Sequence, residues 1–113
     1  MTKTTLEGYR ALKREVRQLT RLLRSPEAQL AAETDTGREL LAYYREKRDR
    51  LIDAQKQIED AIDALPPTER MILRGRYIEG RSWTAVCQDA HYSRSRAFEI
   101  HDAALRKLAR KKA

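Results

Sequence analysis

Residues 82–101 read SWTAVCQDAHYSRSRAFEIH and predict two short helices joined by a tight turn. Ser82 can cap the first helix and Ser93 can cap the second, with AHY between them as the turn. The buried face of the first helix would consist of Trp83, Val86, Cys87 and Ala90. Two helices joined so closely are typical of a helix-turn-helix, in which the second helix enters the major groove of DNA.

The second helix has an apolar face that fixes which side chains point outward. Cys87 would stand where the two helices approach most closely, and Tyr92 would plug the turn into the core. The inner face reads Ala97, Ile100, Ala104 and Leu108, with Leu105 at its margin. A step of about 100° per residue then turns outward Ser95, Glu99, Asp102 and Arg106, flanked by Arg96 and Phe98.

These outward side chains suit contacts with DNA. Arg94, in the first turn, can reach a phosphate, as can the backbone N–H groups at that helix N-terminus. Arg96 has the fork that matches guanine O6 and N7, and Glu99 can accept from a cytosine amino group. Phe98 leaves two interpretations open, contact with a thymine methyl group or shielding of Leu105. The predicted DNA-binding residues are Arg81, Ser93, Arg94, Ser95, Arg96, Phe98, Glu99 and Arg106.

Several other residues of the C-terminal part are explained by structure or solubility without a direct role in DNA binding. For Arg106 and the basic tail of Arg110, Lys111 and Lys112, solubility and phosphate attraction both remain open. His91 is expected in the turn, where a glycine is common, and His101 at a helix edge. Trp83 is expected to be a core residue, and Cys87 a small buried hydrophobe.

The sequence LPPTER precedes this segment and separates it from a long helix. Pro66 forbids continuation of that helix, and Pro67 suits the first turn of a new one. The new helix is predicted from Thr68 to Glu79, stopped by Gly80. Its apolar side would comprise Met71, Ile72, Leu73, Tyr77 and Ile78.

The first 64 residues show two apolar seams at helical spacing. Residues 4–24 predict one helix, and a second helix runs to Ala64; residues 25–37, with SPE and TDTG as breaks, connect them and can hold a short helical turn. The seams consist of Tyr9, Leu12, Val16, Leu19 and Leu23, and of Tyr44, Leu51, Ile58 and Leu65. We therefore predict an all-α fold, with a long N-terminal helical hairpin or coiled coil followed by a C-terminal helix-turn-helix domain.

Charge divides the chain at the same place. Residues 1–65 hold 13 Lys/Arg and 12 Asp/Glu, a net charge of +1, whereas residues 66–113 hold 11 and 5, a net charge of +6. Nearly all the positive field therefore belongs to the C-terminal part. We predict an oligomerisation or partner-binding segment over 1–64 and a DNA-binding domain over 65–113.

The composition argues against several other classes of protein. No apolar run reaches the ~20 residues of a membrane span, and the N-terminus lacks a signal region, so a cytoplasmic protein without membrane contact is expected. One cysteine and two histidines lack metal-ligand spacing. Neither an enzymatic activity nor a cofactor is predicted.

Residues 65–108, LPPTERMILRGRYIEGRSWTAVCQDAHYSRSRAFEIHDAALRKL, resemble a known module. The lead-in LP..ER.IL..RY..G.S and the close YS…AL.KL are similar to the fourth-region helix-turn-helix of bacterial sigma factors. SW before the module, with YS and IH..AL after it, further resembles phage regulators of the RinA and ArpU type. The resemblance implies sequence-specific promoter binding by a phage or prophage regulator, and it leaves RNA polymerase open as a partner.

Double-stranded DNA and a second copy of the chain are the expected partners, with a dimer as the expected assembly. Two seams offer more apolar stripe than one hairpin can cover. Two alternatives remain: a phage small terminase subunit, which also joins helical oligomerisation segments to a DNA-binding module, and a helical adaptor that binds protein only.

Overall fold

The computed structural model describes residues 1–110 and confirms the all-α prediction, since no strand occurs within that range. The basic-tail residues Lys111 and Lys112 lie outside the described range. The helices are α1 (Lys3–Glu7), α2 (Tyr9–Leu23), α3 (Pro26–Ala31), α4 (Asp35–Asp63), α5 (Pro67–Leu73), α6 (Trp83–Ala90) and α7 (Arg94–Arg110), with a π-helical segment over Arg74–Ile78.

The chain divides into two compact units. One combines Met1–Arg10 with the chain from Gln57 onward, and the other comprises Ala11–Lys56. Residues 1–10 thus belong to the same unit as the helix-turn-helix, a feature that the sequence did not indicate. Within that unit Leu6 and Tyr9 are almost fully buried.

In the Ala11–Lys56 unit, Leu19 of α2, Ala28 of α3 and Leu41 of α4 are buried. An ion pair of 3.2 Å joins Lys47 of α4 to Glu15 of α2. The predicted connector is present: Ser25 caps α3 through a 3.1 Å bond from the Ala28 N–H.

Two boundaries in the N-terminal part differ from the prediction. The single helix over 4–24 is interrupted at Gly8, which caps α1 and whose N–H bonds to the carbonyl of Thr4; glycine favours such an end because it is a poor helix former. The break at TDTG is shorter than expected, since α4 already begins at Asp35. Gly37 in its first turn is required by space, because a Cβ there would lie 1.8 Å from the Ala31 carbonyl oxygen.

The helix predicted over Thr68–Glu79 is not uniformly α-helical. α5 passes into the π-helical segment, where the Glu79 N–H bonds to the Arg74 carbonyl at 2.9 Å, and Gly80 ends it with a φ of 69°. Gly75 lies against Val86 of α6, since a Cβ there would be 3.2 Å from Val86 Cγ2. Met71, expected on the apolar side, is 44% exposed.

The unit that combines Met1–Arg10 with the chain from Gln57 onward is called the C-terminal unit below. Its core forms where α5, α6 and α7 meet. Ile72, Val86, Ala97 and Ile100 make one buried cluster. Trp83, Cys87, Ala90 and Tyr92 pack against it, partly buried. The predicted inner face of α7 is buried, whereas on α6 Val86 is buried and the other predicted residues are only partly buried. The opposite face of α7 is exposed.

Candidate nucleic-acid interface

Two serine caps and one left-handed residue set the geometry of the helix pair. The Ser82 hydroxyl accepts from the Ala85 N–H, and the Ser93 hydroxyl accepts from the Arg96 N–H, each at 3.1 Å. His91 ends α6 in the left-handed region, with φ 57° and ψ 38°. The turn position that glycine commonly fills is therefore left-handed here as well, with a histidine in it.

The turn closes with two backbone hydrogen bonds. The His91 N–H donates to the Gln88 carbonyl at 3.3 Å, and the Tyr92 N–H donates to the Cys87 carbonyl at 3.1 Å. This pairing is the Schellman arrangement, which satisfies the last carbonyls of α6. It fixes the direction in which the chain enters α7, and Tyr92 is half-buried against the core as predicted.

The first two turns of α7 bring most of the predicted residues together on one exposed surface. Ser93, Arg94, Ser95, Arg96 and Glu99 are all exposed. Arg96 Nη1 lies 3.1 Å from Glu99 Oε2, with side-chain exposures of 59% and 67%. The two polar groups that could read neighbouring bases are thus already held side by side.

Phe98 forms the border of this surface. It is 37% exposed, and its ring centroid lies 4.5 Å from that of Trp83. The Arg94 guanidinium lies 5.8 Å from the Phe98 ring centroid, a cation–π geometry. Trp83 is half-buried against the core, and the Arg76 guanidinium lies 5.5 Å from its ring.

Arg81 and Arg106 lie apart from this cluster. Arg81 precedes α6, and its guanidinium forms an ion pair with Asp89. Its N–H donates to the Gly75 carbonyl at 2.9 Å. Arg106 is exposed but lies 12 residues beyond Arg94, about 18 Å along the helix axis.

His101 lies in the core and not at a helix edge, which corrects the prediction. It is 4% exposed, with Nε2 2.6 Å from the Tyr77 hydroxyl and Nδ1 3.0 Å from Asp102 Oδ1. One neutral tautomer satisfies both contacts: Nδ1–H donates to Asp102, and Nε2 accepts from Tyr77. Burial raises the pKa of Tyr77, and the carboxylates of Glu7 and Asp102 raise it further against the opposing effect of Arg76.

The sequence held a signal for this buried histidine. Ala97, His101, Ala104 and Leu108 follow one another at spacings of four, three and four, which is the spacing of a buried helix face. A second buried polar residue, Glu69 of α5, was also missed. Its carboxylate accepts from Lys107 Nζ at 2.8 and 3.0 Å, which ties α5 to α7.

Among residues 1–110, no cluster of three or more His, Cys, Asp or Glu side chains could hold a metal ion. No helix in this range is long and apolar enough to cross a membrane.

Comparison with known proteins agrees with this geometry for the C-terminal part. Residues 61–110 match the family model described as Sigma-70, region 4. Neither a curated protein nor a solved structure matches the chain. The match runs from the end of α4 through α7 and includes the whole helix pair. Residues 61–110 are therefore similar to sigma-70 region 4, a helix-turn-helix domain that binds DNA and is not catalytic.

Proposed function

We propose that this protein is a sequence-specific DNA-binding transcriptional regulator whose α7 enters the major groove. The observation that carries the proposal is the exposed cluster of Arg94, Ser95, Arg96 and Glu99 at the start of α7. The opposite face of the same helix is buried, so this cluster is the surface that the domain can offer to DNA. The similarity of residues 61–110 to sigma-70 region 4 supports this use.

Each residue of the cluster has a role in the proposal. Arg96 binds a guanine edge, and Glu99 accepts from a cytosine amino group on a neighbouring pair. Arg94, together with the hydroxyls of Ser93 and Ser95, contacts phosphates and positions the helix. The ion pair between Arg96 and Glu99 keeps both side chains over the groove surface until base edges replace it.

Arg81, Phe98 and Arg106 complete the proposed interface at its borders. Phe98 lies beside Arg94 and can meet a thymine methyl group with its exposed edge. Arg106 is placed to meet the phosphate backbone farther along α7. Arg81 can contribute positive charge from the loop before α6, although its guanidinium is held by Asp89 in the free protein.

The N-terminal part is proposed to make the regulator a dimer, which would present two modules to adjacent half-sites. The exposed apolar side chains of the Ala11–Lys56 unit support this: Leu30 is 65% exposed, Leu40 51% and Tyr43 54%. Light scattering at micromolar concentration should therefore give twice the chain mass, and Leu40→Asp should lower it to one. A monomeric parent protein would contradict the dimer.

We further propose a phage or prophage regulator of the RinA and ArpU type, with promoter DNA as its site and RNA polymerase as a further partner. The residues Ser82–Trp83, Tyr92–Ser93 and Ile100–His101 support that affiliation. A ring of many subunits in solution would instead favour a small terminase subunit. Absence of any shift with unspecific DNA at low salt would favour an adaptor that binds protein only.

Mapping the fragments of the source genome that the protein binds first identifies a specific site. Two variants then test whether α7 is the helix that enters the groove. Arg96→Ala should lower affinity for that site by ~1–3 kcal/mol and relax preference at one base pair. Arg94→Ala should weaken binding to all sequences more evenly. Arg45→Ala, an exposed arginine of α4, is the matched control. If both α7 variants bind DNA like the control, the assignment of α7 as the helix that enters the major groove is wrong.

A further inference from the structure

The Ala11–Lys56 unit carries a groove that the proposed DNA contact does not use. Its volume is about 700 Å³. It is lined by four basic residues, Lys13, Arg17, Arg21 and Arg24, which we call its rim; by Val16, Thr20 and Pro26, which we call its floor; and by Ser25 and Gln55. The groove thus combines a row of positive charges with an apolar base.

Within residues 1–110 the positive charges of the rim have no anionic partner. Lys13, Arg17, Arg21 and Arg24 are exposed, and among residues 1–110 none of their side chains forms an ion pair or a hydrogen bond. Between residues 9 and 24 there are six Lys/Arg and one acidic residue, Glu15. Glu15 is already paired with Lys47. Like charges one helical turn apart repel each other, so this row is unfavourable for α2 until anionic groups bind it.

The one polar side chain of the floor, that of Thr20, already has a hydrogen-bond partner. The Thr20 hydroxyl donates to the Val16 carbonyl at 2.8 Å, so its hydrogen bond is made within α2. Val16 and Thr20 are half-buried and Pro26 is exposed, so apolar surface lies between the cations. A ligand for this groove therefore needs apolar groups flanked by negative charge.

We infer that the groove binds an acidic amphipathic helix of a protein partner. Lys13, Arg17 and Arg21 rise about 6 Å from one to the next, which equals the rise between carboxylates four residues apart on a second helix. Apolar side chains of that helix would cover the floor, the arrangement common to helix-in-groove recognition. The groove belongs to the Ala11–Lys56 unit and α7 to the other unit, so this inference does not rest on the proposed DNA contact.

Nucleic acid fits the groove less well. Single strands are usually held by aromatic side chains on which bases stack, and no aromatic residue lines this groove. A duplex backbone would meet the cations but would leave the apolar floor uncovered. The combination of charge and floor therefore favours a peptide.

The test uses full-length protein and a fluorescein-labelled 18-residue peptide that places Leu on one helical face and Glu on both flanks. Anisotropy should show micromolar binding, and a scrambled peptide of the same composition should bind at least tenfold more weakly. Arg17→Glu with Arg21→Glu should weaken the peptide at least tenfold. Arg14→Glu is the matched control, because Arg14 is an exposed arginine of α2 that does not line the groove.

DNA binding by the same variants separates this inference from the proposed function. Arg96→Ala should lose affinity for DNA and keep the peptide, and the groove variant should lose the peptide and bind DNA like Arg14→Glu. Equal binding of the designed and scrambled peptides, or an unchanged affinity of the groove variant, would overturn the inference. So would a groove variant that loses DNA affinity but keeps the peptide, since the cations would then be a DNA contact. Circular dichroism of each variant checks that the helix content of the whole protein is unchanged.

Discussion

Replacing Tyr77 with Phe removes one atom from the most deeply buried polar contact of the C-terminal unit. Tyr77 is 7% exposed and His101 4%, and their contact is 2.6 Å long. Without the hydroxyl, His101 Nε2 remains buried with no donor, which costs about 1–3 kcal/mol of unfolding free energy. For a unit of this size each 1 kcal/mol corresponds to about 4–8 °C in Tm.

Urea titration at pH 7 measures the loss. Trp83 is the only tryptophan, and its ring lies 5.0 Å from that of His101, so its fluorescence reports the unit that contains the change. Tyr43→Phe is the control, because Tyr43 is 54% exposed and should change stability by less than about 0.5 kcal/mol. If Tyr77→Phe matches that control, the hydrogen bond does not contribute as argued.

The same variant has a signature at alkaline pH. The pKa of Tyr77 is raised in the folded protein, so the unfolded chain ionises first as pH increases. The stabilisation from the protonated phenol is complete below about pH 10 and is lost as pH rises from there to the folded pKa. Tyr77→Phe should abolish that part of the alkaline decline, and Tyr43→Phe should leave it in place.

The helix junction yields two further predictions, both measured by urea midpoints. His91→Gly should stabilise the unit by roughly 0.5–1 kcal/mol, because glycine removes the strain of a left-handed histidine, and this gain exceeds the cost of the extra conformational entropy that glycine gives the unfolded chain. His91→Val should destabilise the unit. The same urea midpoint for both variants would contradict the argument that His91 is strained. Cys87→Leu should cost about 1–3 kcal/mol by overpacking between α6 and α7, and Cys87→Ala should be mild. Equal tolerance of the two replacements would show that Cys87 is not at the helix crossing.

Local sequence patterns determined most of the helix-turn-helix. Ser82 and Ser93 cap the two helices because a hydroxyl before an apolar periodic run satisfies the first free N–H groups. Ala97, Ile100 and Ala104 are buried as their spacing predicts. These features depend on neighbours within one or two helical turns, and such short-range relations are visible in a sequence.

Features that depend on distant residues could not be predicted in the same way. The π-helical segment gives no local signal, and Gly75 within it lies against Val86, eleven residues away. The contact of Glu69 with Lys107 spans 38 residues. The burial of residues 1–10 with the C-terminal helices is likewise a matter of tertiary packing, because Leu6 and Tyr9 continue the same apolar pattern as α2.

Within the candidate interface, the sequence indicated the exposed cluster on α7 but not how its side chains interact. The pairing of Arg96 with Glu99 follows from their three-residue spacing. The contact of Phe98 with Trp83 crosses from α7 to α6 and therefore required the fold. That these residues read base edges remains a prediction.

The buried pair of Tyr77 and His101 also bears on how accurately α7 is aimed. Apolar side chains pack with little directional preference, so an apolar face alone tolerates small rotations of a helix. A rotation of α7 would separate His101 from Tyr77 and leave both polar groups buried without partners. We therefore expect the double variant Tyr77→Phe with His101→Leu to regain the stability that Tyr77→Phe loses, since removing both polar partners is nearly neutral. Its ratio of specific to unspecific DNA affinity should nevertheless fall by roughly tenfold, about 1.4 kcal/mol, because Arg96 and Glu99 would no longer be held in one orientation. Competition binding with the specific site and with random DNA at one salt concentration measures the ratio. An unchanged ratio in a stable double variant would show that the Tyr77–His101 pair does not orient the helix.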